Sequence, residues 1–351
     1  MKPPETPLKW VAAITAVIAL VLGVNNVAKL FAEIGERKRQ VAELTAVAAV
    51  QRDSGDYAAA FASLAEAAQV ADEGTHFAKL SGRLDPLRVD IRTAQEDVAM
   101  AWLRAARAPA GKTFSDMVEP LLPVIARGLV GASGTRRADL LAHRGWANFL
   151  MSRDGRDTPD PAESYREAIA IDTENPFARA NLGHLILWRR GPAEEANTHF
   201  EKALASGRER AYVRRMQLAA FSNYSSPGTD AGLLRAVDQM RRNGEPIDEA
   251  TRRYLFSVYF HAFNAPEELQ KLVEAIPPAD QIATMRALYF GPDFDPDRVP
   301  LRDAVIALLQ EAAGQQAEAL ATWQGIQARL GPDDDGRVAE MAKAAVTRLS
   351  K

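Results

Sequence analysis

The chain contains no cysteine. Disulfides, zinc–thiolate sites, iron–sulfur clusters and cysteine nucleophiles are thereby excluded. It also lacks a surplus of either charge: 43 Lys and Arg stand against 46 Asp and Glu, a formal −3. Proteins that coat nucleic acid usually carry a clear basic excess, so no nucleic-acid partner is expected. No stretch alternates apolar and polar residues in the manner of a strand. No two of the histidines, His76, His143, His184, His199 and His261, stand four apart on one helix, which removes the zincin type of metal site. There is no nucleophile elbow, and no Ser, His and Asp can be matched by spacing. No catalytic residue, metal or cofactor is therefore expected.

What is present begins with an uncharged run at residues 10–28, WVAAITAVIALVLGVNNVA. At ~1.5 Å rise per residue it reaches about 28 Å, close to the roughly 30 Å of a hydrocarbon core. Trp10 and Lys9 suit the interface at the near end, and Asn26 stands where a signal peptidase would need a small residue. The run predicts an uncleaved single-pass transmembrane helix, with the lipid bilayer as one partner and a bacterial inner membrane as the site. Lys29, Arg37, Lys38 and Arg39 slightly outweigh Lys2 and Lys9, which leans the large domain toward the cytoplasm without deciding its side. The expected divisions are an N-terminal tail at 1–9, an anchor at 10–28, a juxtamembrane helical linker at 29–40 and a helical repeat domain at 41–351.

Beyond residue 29 apolar residues recur at helical spacing between short turns. Helices are predicted over 32–52, 85–107, 138–152, 161–171, 177–190, 193–206, 211–224, 230–243, 248–263, 266–275, 281–290, 301–313, 316–330 and 337–349. A further helix opens at Thr113 or Ser115, where Pro120 and Pro123 must end or kink it. Asp85 is expected to cap a helix with Pro86 at its first position, and Asp335 is placed to cap the final helix. Ser54-Gly55-Asp56 and Asn243-Gly244-Glu245-Pro246 are turns.

Four stretches share a pattern of small and large residues. From Pro176 the chain has Leu182-Gly183, Gly191, Ala196, Phe200 and Ala203; before it come Gly145, Tyr165 and Ala168. From Val41 it has Gly55-Asp56-Tyr57, Ala60, Leu64 and Ala67, and from Pro300 it has Gly314, Ala319 and Trp323. These stretches resemble tetratricopeptide repeats, helix pairs of about 34 residues. The usual aromatic is replaced by Asn148 and Ile186, the closing Pro by Asp72 and Thr173. Residues 75–135 and 207–299 keep the rhythm without the signature. The resemblance implies an all-α fold, an α-solenoid of antiparallel helix pairs behind the N-terminal membrane helix.

Other motifs have plain readings. Ala110-Gly111-Lys112-Thr113 looks like the tail of a phosphate loop, but Ala106 stands where its first Gly belongs, so a turn with a helix cap is expected. Asp293, Asp295 and Asp297 lack the Gly and Glu of a calcium loop. Asp333-Asp334-Asp335-Gly336, aligned on Gly336, has Gly331 at the first ligand position and Ala342 at the Glu position, so both are expected to be acidic turns. The arginine pairs 136–137, 189–190, 214–215, 241–242 and 252–253 are expected on solvated helix faces, since acidic neighbours such as Glu194, Glu195 and Glu249 offset several of them.

In the family that the chain resembles, the first helix of each unit lines a concave groove. Carried over position by position, this implies a partner-binding groove with Asp139, Ala142, Trp146 and Phe149, then Phe177, Ala180, His184, Leu187 and Trp188. The family's peptide-carboxylate clamp needs Lys, Arg and Asn where this chain has Ala142, Trp146 and Ala180. The groove would instead suit an amphipathic helix or an apolar peptide. The expected function is a membrane-anchored scaffold for a protein or peptide partner. The alternatives are a structural subunit of a cell-envelope complex, or an enzyme with a site between helix pairs.

Overall fold

Helix starts are set by short local signals. The structure is a computed structural model that describes residues 7–73, 84–224, 228–247, 258–259, 277–291 and 294–351, with side chains from residue 29 onward except 30 and 288. The helices predicted over 248–263 and 266–275 fall almost wholly outside the described residues, as do His76, His261 and Asp293. Among the described residues there is helix and turn but no strand.

The chain divides into two compact units, 1–173 and 174–351. The first holds α1 (Pro7–Asp53), α2 (Tyr57–Asp72), α3 (Asp85–Ala105), α4 (Phe114–Val118), α5 (Leu122–Gly131), α6 (Gly134–Arg153) and α7 (Pro161–Ile171). Gly55, at φ 83°, takes the left-handed turn conformation between α1 and α2 that a residue with a Cβ adopts only at a cost. Asp56 then accepts the Ala59 N–H at 3.1 Å and starts α2. Thr113 and Asp116 form a reciprocal capping box at α4, so Ala110-Gly111-Lys112-Thr113 is the turn and cap expected of it. Asp160 accepts the Ala162 N–H at 3.0 Å ahead of Pro161.

Packing in this unit shows the direction of each helix. Val41 of α1 meets Ala67 and Ala71 of α2, whereas Ala48, further along α1, meets Ala60 and Leu64, nearer the start of α2. The two helices therefore run antiparallel. Ile91 and Val98 repeat the relation between α3 and α2. Contact starts early in α1, at buried Ile34 against Leu84. Arg37 donates to the Val70 carbonyl at 2.9 Å, so the stretch read as a juxtamembrane linker is continuous with the first packed helix.

The expectation of a single-pass membrane protein is corrected here. Among the described residues, no helix is long and apolar enough to cross a membrane. The side chains of residues 10–28 lie outside the described ones. From Lys29 on, α1 carries Glu33, Glu36, Arg37, Lys38 and Arg39 within three turns, charges that are each costly in hydrocarbon.

The second unit holds α8 (Pro176–Trp188), α9 (Ala193–Ala205), α10 (Arg210–Asn223), α11 (Thr229–Arg242), α12 (Pro278–Tyr289), a 3₁₀ turn (Pro296–Arg298), α13 (Val299–Ala312), α14 (Gln316–Leu330) and α15 (Arg337–Leu349). Asn175 caps α8 through the Ala178 N–H at 2.9 Å. Asp335 does not cap α15; Gly336 occupies that position, and its N–H goes to Asp334 Oδ1 at 2.8 Å. Between α13 and α14, Trp323 is buried and donates its indole N–H to Glu311 at 2.8 Å, while Arg348 of α15 holds the other Glu311 oxygen at 2.6 Å.

Arg214 departs from the solvated role expected of the arginine pairs. It is 4% exposed and grips Glu245 with two contacts of 2.9 and 3.1 Å, adding Gln217 and Gln239. Burial alone would raise the Glu245 pKa. The hydrogen bonds from Arg214 and Asn243 and the charges of Arg214 and Arg210 outweigh it and hold the carboxyl below its ordinary value.

One packing device recurs in both units. A Cβ on Gly145 of α6 would lie 2.6 Å from the Tyr165 ring of α7. On Gly183 it would meet the Phe200 ring at 3.0 Å, and on Gly232 the Phe221 ring at 2.5 Å. Gly35, by contrast, has nothing within 4 Å of that position. Gly145→Ala should therefore destabilise the fold by about 1–3 kcal/mol through overpacking. Gly35→Ala should be neutral or stabilise it by up to about 1 kcal/mol through helix propensity. Urea unfolding of both variants checks the contrast.

Candidate functional site

The residues expected to form a groove are distributed over the two units. In the first unit Trp146 is buried, its indole N–H donates to the Leu103 carbonyl at 2.8 Å, and its ring stacks on buried Phe149 at 4.9 Å. Asp139, about two turns before Trp146, is half-buried. In the second unit Phe177 is buried edge-on to Tyr212, whose hydroxyl donates to Asn181. Leu187 and His184 are buried as well. Trp188 is different: 43% exposed, it meets the Tyr224 ring edge-on at 5.8 Å, with His184 at 5.6 Å from the same ring. Most of the aromatic set is thus core, and Trp188 is its clearly accessible member.

A concave face stands elsewhere in the first unit. Helical spacing puts Arg88, Val89, Arg92, Gln95 and Glu96 on one side of α3; buried Ile91 also lines the first cavity, while Val98 turns into the core. On α5, Val124, Arg127, Gly128 and Gly131 do the same, with Ile125 buried behind them. Between these faces lie two adjoining cavities of 540 and 660 Å³. Val89, Arg92, Gln95 and Arg127 line both and so mark their junction. Ala65 and Ala68 of α2 wall the first cavity; Val130 and Arg136 wall the second.

The charges of this groove fall into two classes. Arg88 is held by Asp72 at 2.9 Å, Asp85 at 2.7 Å and the Ala71 carbonyl at 2.9 Å. Arg136 is held by Glu96 and Asp97, both at 2.6 Å; burial opposes its charge, but these carboxylates outweigh it and raise its pKa. Arg92 and Arg127 are exposed and make no hydrogen bond or ion pair among the described residues. Val89 and Val130 are 49% and 90% exposed beside them. Sequence reasoning missed this face because α3 and α5 lie where the repeat signature is absent. The available signal was the spacing of Arg88, Val89 and Arg92, which places them on one side of a helix.

Behind the groove His143 is fully enclosed. Burial first, and then the Arg104 guanidinium, push its pKa down to about 3. The ring is therefore neutral. Its Nδ1–H donates to the Asp139 carbonyl at 2.6 Å, because a carbonyl can only accept. His199 in the second unit is lowered to about 4 by burial, then by Arg179 and Lys202. Among the described residues no cluster of His, Asp and Glu could hold a metal ion.

Two outcomes follow from this burial. Trp146→Ala should cost about 3–5 kcal/mol of stability, and Trp188→Ala only about 1 kcal/mol, by denaturant unfolding. As pH falls from 6.5 toward 3, the unfolded chain takes up a proton that native His143 refuses, so stability is progressively lost. His143→Asn should flatten the fall in unfolding free energy between pH 6 and pH 4 by up to about 1.4 kcal/mol per pH unit. Urea titrations at a series of pH values read that slope.

No family model matches the chain. No curated protein matches it either. Among solved structures, it is similar to a tetratricopeptide repeat protein from Parabacteroides merdae, at 14% identity and a TM-score of 0.39, over 89% of this chain and 100% of that one.

Proposed function

We propose that the chain is a tetratricopeptide-like helical repeat protein that acts as an interaction scaffold, holding a protein or peptide partner in the groove between α3 and α5. The observation that carries this reading is the pair of adjoining cavities with Val89 and Val130 displayed at their rim. Exposed apolar side chains set among polar neighbours in a concavity are what a partner's side chains can cover with a gain in free energy. Helix-pair packing supports the repeat reading: Gly145 against Tyr165 and Gly183 against Phe200 occupy the small and large places of two consecutive repeats.

Trp188 offers a second contact point. Its exposed face, backed by Tyr224, fits the anchor role that large aromatics play at interfaces.

A photo-crosslinking amino acid placed at Val130 in the full chain tests the groove. Irradiation in living cells should yield a discrete protein adduct that is absent when the same group replaces Arg166, an exposed residue of α7. Identical adducts at both positions, or none at Val130, would overturn the reading.

A further inference from the structure

The charges of the groove narrow the chemistry of what fills it, granted that it is a protein-binding surface. Four arginines line it against the three carboxylates of Asp72, Asp85 and Glu96. Those carboxylates are already spent on Arg88 and Arg136. Arg92 and Arg127 remain exposed and uncommitted, and they stand at the junction of the two cavities, on opposite walls. A ligand that occupies both cavities must pass between them. Its shape is that of a chain, since one compact molecule would fill a single cavity of this size.

We infer that the occupant is an acidic peptide segment, whose carboxylates engage Arg92 and Arg127 while small apolar side chains settle against Val89 and Val130. Guanidinium groups match carboxylates in bidentate geometry, and the two on this face have no competing partner among the described residues. A polyphosphate chain fits less well. It would bring a charge at every step against two free arginines among the described residues, and it would meet Asp72, Asp85 and Glu96 along the same walls. Val89 and Val130 would find nothing apolar in a phosphodiester backbone, whereas alternate residues of an extended peptide supply both kinds of contact.

A random short-peptide display library panned against the full chain, with single-stranded oligothymidylate as a parallel probe, tests the assignment. Wild type should enrich peptides rich in Asp and Glu interspersed with Val, Ala or Leu. Their affinity should fall about tenfold for Arg92→Gln or Arg127→Gln and further for the double variant, with an unchanged circular dichroism spectrum. Binding should also weaken as salt is raised. Enriched peptides without acidic residues that are lost on Val130→Asp would overturn the acidic assignment while leaving the groove as the binding surface. Enrichment indifferent to both the arginine variants and Val130→Asp, or no enrichment at all, would overturn the groove together with the assignment. Oligothymidylate binding abolished by the double variant would overturn the peptide in favour of a nucleic acid.

Discussion

Close approach of paired helices, where a ring lies against a glycine, is the constraint on which the packing depends. At Gly145, Gly183 and Gly232 the missing Cβ is replaced by the ring of Tyr165, Phe200 or Phe221. Interiors are packed to the density of organic crystals, so the space that such a glycine vacates must be filled from the neighbouring helix. The ring does that and fixes how the two helices meet. Ala196, whose carbonyl lies against Gly183, and buried Ala168, one turn beyond Tyr165, extend the same close contact. Helices held this near can exchange few large side chains, so the remaining aromatics pack elsewhere: Trp146 upon Phe149, Phe177 against Tyr212.

Several polar groups drawn into the interior are matched by partners. Trp146 and Trp323 each place an indole N–H on an oxygen, Leu103 O and Glu311 respectively. Arg214 is buried only because Glu245, Gln217 and Gln239 meet its guanidinium. A buried charge without such partners would cost several kcal/mol. His143 takes the other course and stays neutral, giving its one N–H to a carbonyl.

The groove between α3 and α5 breaks this pattern. Its arginines at 88 and 136 are satisfied by neighbouring carboxylates, yet those at 92 and 127 point into open space beside exposed valines. Structural ion pairing has therefore consumed the acidic residues of the face and left a small basic and apolar strip.

Helix starts and turns were legible in the amino-acid order, because their causes are local. Thr113 and Gly55 each act within four residues, and the helices at 161–171, 316–330 and 337–349 begin and end where they were expected. Asp160 and Asn175 cap by equally local contacts that were not foreseen, and Asp85 stands one residue inside its helix with Leu84 at the cap position. The repeat resemblance also picked out Gly145 and Gly183 as small places in a pattern with Tyr165 and Phe200. It could not show which apolar face meets another helix and which meets water, because that depends on residues far along the chain. Trp146 and Trp188 look alike in sequence; Leu103, from a distant helix, covers the first, while the second lies at a helix end with Tyr224 on one side only. Arg92 and Arg88 are one turn apart on the same helix; Asp85 of that helix and Asp72, brought in by α2, both pair with Arg88, while Arg92 has no such pair among the described residues.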